Sequence, residues 1–193
     1  TKALFDNLLE FEVIYGNTLK KNAKQINKET FIRTMKGFND SLDYINLGES
    51  CSLDIRTEYK YKGKSALSNI RASVIGLSDI KKYCLTDSLD GLNTEFMKKN
   101  LYKDPLQPSK KFGSLQNIEY NFRINLKNEL NLNEFTNEAV LLFKKSWARK
   151  NKIFRYKKRF SFLTKNKLFR VDITAVKTNK FNRKTNSYEY SRT

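Results

Sequence analysis

Six stretches of the chain alternate apolar and polar residues with a period of two, the mark of strands with one buried face. They are Leu8 to Tyr15, Leu53 to Tyr61, Leu67 to Ile75, Ile118 to Leu130, Ile153 to Leu163 and Leu168 to Val176. Tyr61-Lys62-Gly63-Lys64-Ser65, between two of them, has the composition of a hairpin turn. Three other stretches follow a helical period. The first runs from Asn27 to about Leu42, with Ile32, Met35 and Phe38 at helical spacing. A short second helix carries Ile80 and Tyr83, and Ser78-Asp79 can cap it. The third, Thr136 to Arg149, sets Val140, Phe143 and Trp147 on one face. The segment Leu101 to Ser114 holds both prolines and is expected to be the most mobile. With no repeat and no composition break, the 193 residues read as a single strand-rich α+β domain.

The polar faces of these strands carry the chemistry. Along Phe154 to Phe162, one face is Arg155, Lys157, Arg159 and Ser161, and Lys158 lies on the opposite face among aromatic residues. Phe122 to Leu130 presents Arg123, Asn125, Lys127 and Glu129; Phe169 to Ala175 presents Arg170, Asp172 and Thr174. Asn69, Arg71 and Ser73 share a face, and Glu10 and Glu12 stand together against Leu9, Phe11 and Val13. Antiparallel sheets often turn a polar face to water. These faces, however, are dense in arginine, poor in Thr and Gln, and mixed with isolated acids. A mainly antiparallel, closed β-barrel with these faces inward and helices packed outside would enclose a cationic tunnel with a carboxylate cluster. Such an interior is costly to desolvate unless phosphate and metal occupy it.

Charge strengthens that picture. Thirty-eight Lys and Arg against 20 Asp and Glu leave a formal charge of +18, which favours a polyanionic partner. Histidine is absent. Ser-His-Asp and Cys-His nucleophile systems and His-containing zinc sites are thereby excluded. The two cysteines, Cys51 and Cys84, cannot assemble a structural zinc alone, and so few fit a reducing compartment. Catalysis must rest on carboxylates, Lys, Arg, hydroxyls and a hard ion held by oxygen. No apolar run reaches the length of a membrane span.

Glu10-Phe11-Glu12, Arg155-Tyr156-Lys157-Lys158-Arg159-Phe160-Ser161-Phe162 and Val171-Asp172-Ile173-Thr174 resemble the motifs of the triphosphate tunnel metalloenzymes. The likeness is greatest to the RNA triphosphatases of fungal and large-DNA-virus mRNA capping systems. Glu-x-Glu alone is a weak signal; the basic strand followed by Asp-x-Thr is far more specific. The resemblance implies that Glu10 and Glu12 bind metal, Mg2+ or Mn2+. It implies that Lys157 and Arg159 contact the triphosphate, Arg155 supports acidic tunnel groups, and Asp172 and Thr174 complete the site. Arg71 matches an upstream tunnel arginine, and Lys127 and Glu129 a basic-acidic pair, Glu129 being a candidate to orient the attacking water. Lys98 and Lys99 both fit a further tunnel lysine.

The activity implied is hydrolysis of the γ-phosphate of 5′-triphosphate RNA, with NTPs as further substrates. The partners implied are other capping domains or subunits, a guanylyltransferase and a methyltransferase, in an intracellular setting: the cytoplasm, as a viral factory or virion, or the nucleus. The family closes its metal site with a second acidic strand after Asp-x-Thr. None is visible in Ser187 to Thr193, so the domain is expected to be truncated, with that strand beyond Thr193. Two rival readings remain open. One is a tunnel enzyme acting on small triphosphates or polyphosphate. The other is a non-catalytic nucleic-acid-binding β domain stacking bases on Tyr59, Tyr61, Phe160 and Phe162.

Overall fold

A computed structural model describes residues 7–15, 27–61, 63–101, 115–117, 119, 122–132, 136–182 and 187–190. Ten strands are present: β1 (Asn7–Tyr15), β2 (Tyr44–Tyr61), β3 (Lys64–Leu67), β4 (Ile70–Ile75), β5 (Thr94–Leu101), β6 (Leu115–Asn117), β7 (Phe122–Leu132), β8 (Lys152–Thr164), β9 (Arg170–Asn182) and β10 (Ser187–Tyr190). They form one antiparallel sheet in the order β1-β7-β5-β4-β2-β8-β9-β10, with β3 beside β2 and β6 beside β7. Three helices accompany it: α1 (Lys28–Asp40), α2 (Leu77–Thr86) and α3 (Glu138–Lys145), the last followed by a 3-10 turn, Trp147–Arg149.

The α+β, mainly antiparallel class holds, but closure does not. The sheet curls into a half-barrel with β1 and β10 as its edges, and no pairing joins them among the described residues. Alternation reveals which residues share a face and carries no information on whether the last strand meets the first. β10 has only four residues to offer.

All three helices pack on the outer face. Phe31 and Phe38 of α1 meet Phe160 and Phe162 of β8. Tyr83 of α2 meets Phe154, and Phe143 of α3 meets Phe96 of β5. Leu53, Ile55, Ala72, Val74 and Phe96 from the sheet, with Ile80, Tyr83, Val140, Phe143 and Trp147, form the buried core. Asp87 joins its parts. It ends α2 in the left-handed region, with φ 49°. Its carboxylate accepts from the Tyr83 hydroxyl at 2.7 Å and from Lys152 Nζ at 2.6 Å, and its carbonyl accepts from the Trp147 indole at 2.8 Å. Packing also decides against base stacking by Phe162, which is fully buried, or by Phe160, which lies under α1.

Local readings differ from the structure where alternation is interrupted. β2 begins at Tyr44, well before Leu53, because a bulge between Asn46 and Gly48 shifts the period. Gly48, at φ 91°, supplies the left-handed geometry that the bulge requires. The expected strand Leu67 to Ile75 is split, and Ser68 between β3 and β4 turns its carbonyl to the Arg56 guanidinium. The strand expected over Ile118 to Leu130 is β7, Phe122–Leu132; β6 lies before it and was not expected, and β9 starts at Arg170. β5 and β10 were not expected as strands. Asn27 caps α1, accepting from Thr30 N at 2.7 Å. The cap of α2 is Gly76, while Asp79 accepts from Asn93 N instead; the cap of α3 is Asn137. The proline-containing segment 102–114 lies outside the described residues.

Candidate active site

The inner face of the half-barrel follows from the registers, since residues directly opposite on paired strands point to one side. Arg155, Lys157 and Arg159 of β8 face Asp54, Ser52 and Ser50 of β2 on one flank, and Thr178, Val176 and Thr174 of β9 on the other. Asp54 faces Ser73 of β4, and Ser73 faces Glu95 of β5. All of these positions except Asp54 and Thr178 line a cleft of about 540 Å³. Arg71, Arg155, Lys157, Arg159 and Arg170 bring positive charge to its walls; Glu95, Glu129 and Asp172 bring negative charge.

Asp54 organises its floor. The residue is 3% exposed. Its Oδ2 lies 2.8 Å from Lys157 Nζ and 3.7 Å from Arg71 Nη1, and its Oδ1 accepts from Ser73 Oγ at 2.8 Å. A buried carboxylate held by two cations and a hydroxyl fixes both cations in place. Burial pushes the Lys157 ammonium below the usual lysine range; Asp54 pulls it back up, while Arg71 and Arg159 push it further down. A bound polyanion would oppose that downward push. Arg71 also leaves Nε buried without a partner and points Nη2 at Met97 Sδ, at 3.0 Å. Beside this group Asp172 holds Arg159 at 3.3 Å, Arg170 at 3.1 Å and Ser161 Oγ at 2.8 Å. Each acid therefore braces two cations, and the cations outnumber the acids along the walls. The arrangement suits a chain of phosphates.

The structure gathers Arg71, Arg155, Lys157, Arg159, Asp172, Thr174 and Glu129 around this one cleft. Arg155 is opposite Asp54 in register, yet Asp54 is paired by Lys157 and Arg71. The register also separates the two candidate lysines. Lys98 is opposite Ile70 and Leu130, on the core side, and Lys99 is opposite Glu129, on the cleft side. Glu10 and Glu12 are opposite Lys127 and Asn125, which places both positions on the face shared by Lys127 and Glu129. Their side chains lie outside the described residues. Among the described residues no three Cys, Asp or Glu side chains converge as an ion would require. The donors at hand on this face are oxygens, which fit a hard divalent ion and not a thiolate-seeking one.

Asp54 and Glu95 were not singled out from the sequence. Asp54 sits between Leu53 and Ile55 in an alternating run, so its face was legible; its burial was not. Lys158, on the outer face, pairs with Glu49 at 2.9 Å and lies 5.4 Å above the Phe160 ring. We expect Lys158→Ala to change phosphate release by less than about threefold, since exposed ion pairs contribute little. A larger loss, in steady-state kinetics, would place the wrong face of β8 in the cleft.

No protein-family model matches the chain, and no curated protein sequence matches it. Its fold is that of solved structures of the Mimivirus capping enzyme triphosphatase. The triclinic structure of that protein aligns over 96% of this chain and 78% of its own, with a TM-score of 0.57 and 22% identity. The monoclinic one aligns over 94% and 78%, with a TM-score of 0.55 and 20% identity.

Proposed function

We propose that this protein is a divalent-metal-dependent RNA 5′-triphosphatase, removing the γ-phosphate from 5′-triphosphate RNA for mRNA capping. The observation that carries the reading is the braced cation group on the cleft floor: Lys157 and Arg71 on Asp54, and Arg159 on Asp172. The solved structures that share the fold are of a capping enzyme triphosphatase, which supports the same reading. Phosphoryl transfer needs positioned charge more than covalent chemistry. In this reading Lys157, Arg159 and Arg71 hold the phosphoryl oxygens and offset the charge that spreads over them. Lys99, Lys127 and Arg155 extend the grip, Thr174 donates from β9, and Glu129 orients the attacking water. Glu10 and Glu12 would hold Mg2+ or Mn2+. When bound, that ion supplies Lewis-acid charge at the γ-phosphate. The +18 charge fits an RNA strand, and the other capping activities are the expected partners.

The test is phosphate release from 5′-triphosphate RNA, ATP and inorganic tripolyphosphate, with and without Mg2+ or Mn2+. Metal-dependent release from RNA is expected, and NTP hydrolysis with Mn2+. Absence of release from every substrate, with RNA still bound, would favour a non-catalytic nucleic-acid-binding domain. Release from tripolyphosphate alone would favour a small-molecule enzyme.

A further inference from the structure

The outer face of the sheet holds a further hollow, of about 820 Å³, larger than the cleft. Its floor includes a row of residues directly opposite one another on three strands: Leu53 of β2, Tyr156 of β8 and Lys177 of β9. Alternation along β8 puts Phe154 and Tyr156 on the side away from Arg155 and Lys157. The end of α2, with Tyr83 and Cys84, forms one wall, and Lys150 stands just before β8. The pairing of β8 with β9 ends at Arg155 and Thr178, and β9 continues beside β10. The hollow therefore lies where β9 parts from β8.

Apolar surface and positive charge meet there. Leu53 and Tyr83 are buried, whereas Phe154 and Tyr156 are only half-buried and keep ring surface free. The Tyr156 hydroxyl donates to Cys51 Sγ at 3.3 Å, which fixes its ring. Lys152 and Asp87 satisfy each other at 2.6 Å. Lys150 and Lys177, in contrast, have no acidic partner among the described residues. Asn179 accepts from Phe154 N at 2.8 Å through its amide oxygen, which leaves the amide NH2 to donate.

We infer that this hollow is a second binding site, separate from the cleft, and that its ligand is a nucleotide. The base lies against Phe154 and Tyr156, Lys150 and Lys177 hold the phosphate, and the Asn179 amide donates to the base edge. The volume falls within the range of about 300–1,000 Å³ usual for small-ligand sites, which are mostly apolar with a few placed polar groups. An acidic peptide would match the charge. A hollow of this size with aromatic residues beneath it suits one ring system and its phosphate better than a run of backbone. The inference stands whether or not the cleft hydrolyses triphosphates.

Cys84 is exposed on the wall and Cys51 is not, so alkylation by N-ethylmaleimide, read at each cysteine by mass spectrometry, reports occupancy. The probes are AMP, ribose 5-phosphate and a 5′-hydroxyl tetraribonucleotide, none of which brings a triphosphate to the cleft. AMP is expected to slow alkylation of Cys84 at least about threefold, with Cys51 as the internal reference. Slowing by the tetranucleotide as well would assign the site to a nucleotide within an RNA strand; slowing by AMP alone, to a free nucleotide. The half-saturating AMP concentration should rise about tenfold in Tyr156→Ala, the scale of one lost base contact, and severalfold in Lys177→Glu. Lys158→Ala, on the same face of β8, should leave it unchanged. Lys177 is exposed, so its variant keeps the test alive should Tyr156→Ala lower the thermal midpoint. No slowing by AMP or the tetranucleotide, equal slowing by ribose 5-phosphate, or an AMP effect that both variants leave intact would overturn the inference. Protection by polyglutamate and not by AMP would give the hollow to an acidic protein segment and reject it too.

Discussion

Asp54→Asn is expected to lower phosphate release on the order of a hundredfold, about the loss seen when one transition-state charge partner is removed. The carboxylate need not touch substrate for this. It holds Lys157 at 2.8 Å and Arg71 at 3.7 Å, and without its charge the two cations repel each other and leave their positions. Asparagine keeps the volume and can still accept from Ser73, so the fold should survive, with a lower thermal midpoint. A pH profile separates positioning from general damage. Burial, Arg71 and Arg159 all depress the Lys157 ammonium, and Asp54 is what raises it. Removing that support lowers the Lys157 pKa further, so the ammonium is lost at a lower pH. The alkaline limb of the activity profile should therefore move to lower pH in Asp54→Asn. Lys157→Ala and Arg159→Ala should lose a similar factor, with partial recovery in Arg159→Lys. Near wild-type rate with an unmoved alkaline limb in Asp54→Asn would remove Asp54 from any part in the site.

The inner face of β8 and β9 was legible because period two survives intact there. Arg155, Lys157, Arg159, Asp172 and Thr174 are read from alternation alone, and the structure places all five on one cleft. Three things were hidden. The depth of Asp54 depends on β4 and β8 flanking β2 and bringing Arg71, Ser73 and Lys157 against it, which no local pattern encodes. β5 was missed because Thr94 to Leu101 has Lys98 on its core side, and a lysine there breaks the apolar rhythm. For the same reason Glu95 went unseen. Finally, closure of the barrel depends on its two edges, and alternation within strands says nothing about edges.

The two missed acids also bear on an argument about charge. Counted from the sequence, the inner faces hold Arg71, Lys127, Arg155, Lys157 and Arg159 against Glu10, Glu12, Glu129 and Asp172. That imbalance motivated the expectation of a further acidic strand beyond Thr193. The structure adds two acids, Asp54 and Glu95, to the inner face, and Arg170 adds a further cation. Glu189 of β10 is opposite Lys180, on the β9 face that carries Asp172 and Thr174, so its position is on the inner side as well.

Glu10→Ala and Glu12→Ala are expected to have the other large effect, a loss of metal-dependent phosphate release on the order of a hundredfold or more. The two positions are alternate residues of β1, so they share a face, and the β1–β7 register puts that face beside Lys127 and Glu129. Two carboxylates at alternate positions of one strand offer oxygen donors on one side, the donor type that a hard cation takes. Alanine removes an oxygen donor; glutamine keeps one but loses its charge, so it should fall between alanine and wild type. Activity alone does not distinguish a lost ligand from a misplaced strand. The deciding measurement is therefore Mn2+ binding by electron paramagnetic resonance, alongside a thermal midpoint for each variant. Weakened Mn2+ binding with an unchanged midpoint is the expected pair of results. Unaltered Mn2+ affinity in both alanine variants would move the ion off β1, and Glu95, Glu129 and Asp172 would be the acids to test in its place.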